Sequence, residues 1–346
     1  MATSNDMSPQ GFSNVRATRF WQKGFLASQS AYVLAALVVI IVVMSLLSPN
    51  FLTAGNISNI TRNFSFIAIA TLGITLVIIT GGIDLSVGST MAFSATVTSL
   101  TMGALAGASV ALFPGGAMML ALLAGLGAAA LVGLFNGLAI AKLKLSPFVT
   151  TLGTLSIVRG LTYVATYGRG TFPSGPDKDL FLIVTAGKLF DVVPIAFIYL
   201  IICAIAMWLA LTHTAWGRHV FAIGSNESAG RLTGVNVDRV KIQVYILCGL
   251  AAGFNGIIIS GWLGSAPANL ATAYELTIIA AAVIGGANLA GGVGGAAGAI
   301  IGCVLIEVIR NGLVLARVDP YWQQTLVGCI IVAAVLVDRL RSLRNG

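Results

Sequence analysis

Charge is scarce in this chain. Asp, Glu, Lys and Arg together make up 9% of its 346 residues, where soluble globular proteins carry about 25%. Mean hydropathy is +0.96. This excludes a disordered chain, which needs low hydropathy, and a soluble enzyme of this length, whose surface so few charges could not cover. Cysteine is nearly absent as well. Cys203, Cys248, Cys303 and Cys329 all sit in apolar runs and form no CxxC pair, which argues against disulfides or a metal site. No GxxxxGK[ST] loop occurs, so the chain has no phosphate cradle of its own. HExxH and GxSxG are missing, and the two histidines, His213 and His219, flank one span end. Enzyme chemistry therefore has little support. The excess of 19 Lys and Arg over 11 Asp and Glu includes no basic block interleaved with aromatics, and nucleic-acid binding is not indicated.

The charges are missing in blocks. None lies between Lys23 and Arg62, and Asp84 and Lys142 are separated by 57 uncharged residues. Further gaps run from Asp191 to Arg218, Lys241 to Glu275, Glu275 to Glu307 and Asp319 to Asp338. A helix needs ~20 apolar residues to cross the bilayer core, and each gap holds one, two or three such lengths. The ~10-residue alternating segments of a membrane β-barrel are absent. The fold class is thus all-α: a polytopic membrane protein of about ten transmembrane helices. They are expected near 29–47, 58–80, 87–107, 117–141, 146–166, 193–212, 241–263, 274–291, 294–315 and 321–338. Residues 1–28 form a cytoplasmic N-terminal tail, 29–338 the transmembrane domain with its longest cytoplasmic loop at 213–240, and 339–346 a cytoplasmic C-terminal tail. Most prolines fall at or between these ends. Twelve Lys and Arg then lie inside against five outside, Arg62, Arg169, Lys178, Lys188 and Arg317. The positive-inside rule accordingly puts both termini in the cytoplasm. The polar first 28 residues do not resemble a cleavable signal peptide.

Small residues recur every four positions at Gly125, Ala129, Gly133 and Gly137, and again at Gly294, Gly298 and Gly302. That spacing lets helix backbones approach closely, either within one chain or between two copies. Gly81-Gly82-Ile83-Asp84-Leu85 is echoed by Gly285-Gly286-Ala287-Asn288-Leu289. The stretch from Gly81 to Ser89 is the most unusual. Its glycines permit a break, Asp84 or Ser86 can cap the next helix, and an acid at membrane depth is a functional candidate. The plainer alternative is that Asp84 only caps a helix at the membrane border. In the long inside loop, Ser225 is an expected N-cap, with Glu227 in the first turn and Arg231 four residues later. A short helix ending near Gly234 follows, which suits a docking surface. Glu275 opens the eighth span, Glu307 and Arg310 can pair one turn apart in the ninth, and Arg159 also lies within a span. Trp216, Trp262, Tyr321 and Trp322 fit interfacial anchors.

These stretches resemble the sugar-permease subunits of ABC importers of the ribose/xylose/galactose type. The resemblance runs from about Ser48 to Asp338. It rests on SPNF at 48–51, GGIDLSVGS at 81–89, PFVTTLGT at 147–154, GRHVFAIGSNESAGRLTGVNV at 217–237 and YELTIIAAAVIGGANLAGGVGG at 274–295. It implies a type II ABC-importer-like permease, working as a homodimer or with a close paralogue in the bacterial inner membrane and in contact with membrane lipid. Its implied partners are a cytoplasmic ABC ATPase, which binds ATP and Mg, and a periplasmic sugar-binding protein. No cofactor or metal is implied in this chain. Arg218, Gly224, Asn226, Glu227, Arg231 and Gly234 fall in the segment that couples to the ATPase. Gly81, Gly82, Asp84, Ser86 and Asn136 are candidates along the translocation path. The sequence departs from the family in its longer N-terminal tail and in Asn288-Leu289-Ala290, where a Ser/Thr-Ser-Leu pattern is more usual. Two rivals remain: an ion-coupled secondary transporter using Asp84, Glu275 or Glu307, and a related ABC permease for another small solute such as a branched-chain amino acid.

Overall fold

The computed structural model describes residues 29–107 and 114–319, together with 322, 325, 328 and 329. The first helices are α1 (Gln29–Leu47), α2 (Ala54–Ile79), α3 (Val87–Leu105), α4 (Gly116–Ala141) and α5 (Pro147–Thr166). A short helix α6 (Lys178–Ala186) and a hairpin of β1 (Lys188–Leu189) and β2 (Val193–Pro194) lead to α7 (Ile195–His213). Then come α8 (Ala215–Ser225), α9 (Glu227–Leu232), α10 (Val237–Leu263), α11 (Tyr274–Ile284) and α12 (Ala296–Leu315). Six of these, α2, α4, α5, α7, α10 and α12, are long and apolar enough to cross a membrane. With the 19-residue α1 and α3 and the shorter α11 they occupy nine of the ten expected spans. The tenth, 321–338, and the tails 1–28 and 339–346 lie outside the described residues.

Local chemistry sets the boundaries. Thr53 caps α2 by accepting from the Asn56 amide, and Asn236 caps α10 by accepting from that of Arg239. Pro147 opens α5, where its missing N–H costs nothing.

Helix α10 is the central member, packed against α4, α3 and α2. The small-residue stripe on α4 explains how. A Cβ on Gly133 would overlap the Tyr245 carbonyl, and one on Gly137 would stand 2.8 Å from the Ile242 Cα. On the facing side, a Cβ on Gly249 would stand 2.5 Å from the Ala129 carbonyl oxygen. Gly298 and Gly302 bring α12 equally close to Gly285 and Ala281. Both stripes therefore serve packing within the chain. Helix α6 has no counterpart among the expected spans. Its Phe181 is fully buried in a cluster with Met102, Met118 and Ile257.

One span is corrected. The expected 274–291 stops at Ile284, so α11 is 11 residues long. At 1.5 Å per residue that is ~16 Å, about half the hydrocarbon core. The following Gly286, Gly291 and Gly292 have φ of 101°, 94° and 76°, a left-handed backbone that ends a helix readily. Arg62 lies within α2, inside the expected 58–80, its guanidinium 4.4 Å from the centre of the Trp262 ring.

Candidate functional site

The break between α2 and α3 is a closed polar knot. Asp84 Oδ1 accepts from the Ser86 amide at 2.8 Å and from the Ser86 hydroxyl at 2.6 Å. Ser86 Oγ accepts from Asn136 Nδ2 of α4 at 2.9 Å, and Asn136 Oδ1 accepts from Thr154 Oγ1 of α5 at 2.6 Å. The Cys248 thiol of α10 also reaches the Asp84 carboxylate. Asp84 is 2% exposed, Ser86 1% and Asn136 0%. A buried carboxylate persists only when its oxygens are satisfied, and this chain of donors satisfies it while tying four helices together. Gly81, with φ of 76°, turns the chain out of α2, and Gly82 passes directly under the Tyr245 hydroxyl. The sequence pointed to Asp84, Ser86 and Asn136. Thr154 and Cys248 were missed, because nothing local ties either residue to position 84.

The echo at 285–289 repeats this geometry. Asn288 Oδ1 accepts from the Ala290 amide at 2.9 Å, two residues on, as Asp84 does from Ser86. Both turns follow a helix, and both precede a helix. They also meet in space, since the Gly292 amide donates to the Ile79 carbonyl at 2.9 Å.

Gly224 closes the same joint. A Cβ there would overlap the Ile79 carbonyl oxygen and stand 2.5 Å from the Gly292 nitrogen. The end of α8 therefore rests backbone to backbone on the end of α2 and on the α11–α12 connection.

The long inside loop contains two helices. Thr214 caps α8 by accepting from the Gly217 amide at 3.0 Å. The cap of α9 is Asn226, not Ser225: Asn226 Oδ1 accepts from the Ala229 amide at 3.0 Å, while Ser225 closes α8 with its hydroxyl donating to Phe221 O. Gly234, with φ of 85°, follows α9. Glu227 pairs with Arg231 at 2.9 Å and with Lys241 of α10 at 2.6 Å. Arg231 also reaches Asp238, which Lys144 and Lys142 approach from the α4–α5 connection. Burial alone would raise the Glu227 carboxyl, but hydrogen bonds from Lys241 and Arg231 hold it below its ordinary range. Arg218 lies on α8; the structure brings Gly224, Asn226, Glu227 and Arg231 into one charged, partly exposed platform.

At the opposite ends of the helices, Asp177 accepts from the amides of Gly115 at 2.9 Å and Met118 at 3.0 Å. These bonds cap α4 from a distance and lower the Asp177 carboxyl. Glu307 is buried, accepts from Asn63 at 2.9 Å and has Arg310 3.9 Å away, the pairing expected from sequence. Trp216 donates to Gln243 at 3.0 Å. Among the described residues no three His, Cys, Asp or Glu are grouped to hold a metal ion.

A last polar region lies between α10 and α11, where residues 264–273 are not helical. Arg159 of α5 donates through Nη1 to the carbonyls of Ala268 at 3.1 Å and Leu270 at 2.8 Å.

Known proteins resemble this arrangement of sequence along nearly its whole length. The family model described as branched-chain amino acid transport system / permease component matches residues 56–335. The ribose import permease protein RbsC of Escherichia coli (strain K12) is 39% identical over 329 residues, 95% of this chain and 98% of that one. The protein of the same name from Bacillus subtilis (strain 168) is 37% identical over 306 residues, 88% of this chain and 91% of its own. The galactose/methyl galactoside import permease protein MglC of Escherichia coli (strain K12) is 36% identical over 317 residues, covering 89% and 94%. No solved structure matches the chain.

Proposed function

This chain belongs to the family of ABC-importer permease subunits, and from that premise we propose that it carries a monosaccharide or related polyol across the bacterial inner membrane. The observation that carries the reading is the 39% identity to a ribose import permease over 95% of the chain. A cytoplasmic ATPase binds ATP and Mg and docks on the platform of Arg218, Gly224, Asn226, Glu227, Arg231 and Gly234. A periplasmic binding protein delivers the sugar. Two copies of the chain, or one copy and a close paralogue, enclose the path, with all termini in the cytoplasm.

The joint at Gly224 suggests how force reaches the path. Movement of α8 and α9 against the ATPase presses on Ile79 and Gly292 through main-chain contacts. It is passed on to the Gly81–Ser86 break and to the α11–α12 turn together. Gly81, Gly82, Asp84, Ser86 and Asn136 shape the path by fixing where α3 departs from α2. Such an element, biased from one side and read out on the other, is what a coupled switch requires.

The test is uptake of labelled ribose, galactose and leucine by vesicles holding the permease with its genomic ATPase and binding protein. ATP-dependent uptake of a sugar is the expected result. Leucine uptake alone would point to the amino acid branch of the family. Sugar uptake without ATP, abolished by an ionophore, would overturn the reading in favour of an ion-coupled carrier.

A further inference from the structure

Residues 264–273 run from the end of α10 to the start of α11 without forming a helix. Ala266 is paired with Thr171 beyond the end of α5, with bonds of 3.0 and 2.7 Å. Five residues later, the Ala271 carbonyl lies against Gly88 in the first turn of α3, 2.5 Å from where a Cβ would be. Arg159 fixes the level. It is the thirteenth residue of α5, ~18 Å along a helix that rises 1.5 Å per residue. That places it near the middle of the hydrocarbon layer, with its Nη1 on Ala268 O and Leu270 O.

Irregular backbone at that depth is tolerated only inside protein or against a water-filled space. Here part of it is open: Asn269 and Thr272 are exposed, and Glu275 in the first turn of α11 is half-buried. On the adjoining face of α5, Ser156 is exposed and Arg159 half-buried, flanked by the exposed Leu152 and Tyr163. Strain marks the same place. Ala271 and Ala273 have φ of 54° and 64°, a left-handed backbone that alanine resists and that persists where the surroundings hold it. The surface thus offers the donor fork of Arg159 and the acceptor carboxyl of Glu275.

We propose that Arg159, Asn269, Thr272 and Glu275 form a wet station halfway through the membrane, where the hydroxyls of a neutral sugar are handed from the outer to the inner half of the path. This deepens the proposed import function and rests on it. The chemistry suits a polyol. Arg159 uses Nη1 on the backbone and keeps the remaining donors of its fork for a passing oxygen. Glu275 accepts from a hydroxyl. A polyol hydroxyl, which both donates and accepts, can use the two together. The half-length of α11 follows from the same requirement, because a continuous helix would close the gap in which the sugar is met.

Two measurements on the reconstituted complex in lipid vesicles test this. First, Thr272→Cys is exposed to a charged, membrane-impermeant methanethiosulfonate, alongside the wild-type chain and Ile205→Cys, which is exposed midway along α7. Labelling of Thr272→Cys well above both controls, slowed by ribose with its binding protein, is expected. Reaction no faster than at Ile205→Cys would overturn the wet station. Second, Glu275→Gln is expected to lower ribose uptake per ATP hydrolysed at least about tenfold, the worth of one hydrogen bond to a charged group, while binding-protein-stimulated ATPase persists. Wild-type uptake per ATP in that variant would remove the sugar-handling role. If Glu275→Gln does not assemble, the labelling result decides alone. If the wild-type complex carries no ribose or galactose, the import reading fails, while the labelling still shows whether the gap at 264–273 is wet.

Discussion

Gly224→Ala is the sharpest perturbation of the coupling path. One methyl group replaces a hydrogen where the chain has no side chain to move aside. The new Cβ would overlap the Ile79 carbonyl oxygen and lie 2.5 Å from the Gly292 nitrogen. Both atoms belong to the backbone, so α8 must shift away as a body or the Gly292-to-Ile79 hydrogen bond of 2.9 Å must open. Forcing a methyl into a packed contact costs about 1–3 kcal/mol. Leaving a buried donor and acceptor unmet costs about 1–3 kcal/mol more. Keeping the joint therefore incurs the first cost and parting it the second, and a partly opened joint bears up to about 2–6 kcal/mol in all. The expected outcome is a complex that still assembles but whose ATPase no longer responds to liganded binding protein and whose uptake falls to background. Gly230→Ala in α9 is the control, since nothing lies within 4 Å of its Cβ position. Stimulated ATPase activity, uptake and melting temperature would be compared across the three chains. Gly224→Ala that melts and transports as the wild type does would refute a transmitting joint.

Other outcomes follow from the same contacts. Asp84→Asn keeps an acceptor for the Ser86 amide, whereas Asp84→Ala removes it and leaves the Ser86 amide and hydroxyl without their acceptor, so Ala should lose about 1–3 kcal/mol of stability. Poor uptake by Asn at normal expression would show that the charge matters to the path, and near-normal uptake would leave Asp84 a helix cap. Glu227→Ala combined with Arg231→Ala should leave the permease in the membrane yet lose ATPase co-purification and coupling; unchanged coupling would remove the docking assignment. A reporter active only in the periplasm, fused after Gly346, should be silent, and activity there would require an odd number of spans.

How much could be foreseen depended on whether side chains or main chain carried the contact. Asp84, Ser86 and Asn136 were legible because carboxylate, hydroxyl and amide stand out in apolar runs. The Glu227–Arg231 pair was legible from its spacing. Asn226 was passed over for Ser225 because both are good caps one residue apart, and only the end of α8 decides between them. The half-length of α11 was hidden by apolar composition, which continues through Ala287 and Leu289 past the point where the helix stops. Arg159 was visible as a charge within a span, but its partners are carbonyls of Ala268 and Leu270, which every residue possesses. The joint at Gly224 escaped for the same reason.

The two matching turns at 84–86 and 288–290 have unequal surroundings. Asp84 is 2% exposed, while Asn288, Leu289 and Ala290 face outward. Parting the first would strip paired polar atoms of their partners inside the protein, whereas the second can flex with water ready to replace what it loses. One is a fulcrum and the other a yielding pad, and α8 leans on both at once. A push on α8 is therefore expected to displace the exposed turn before the buried one.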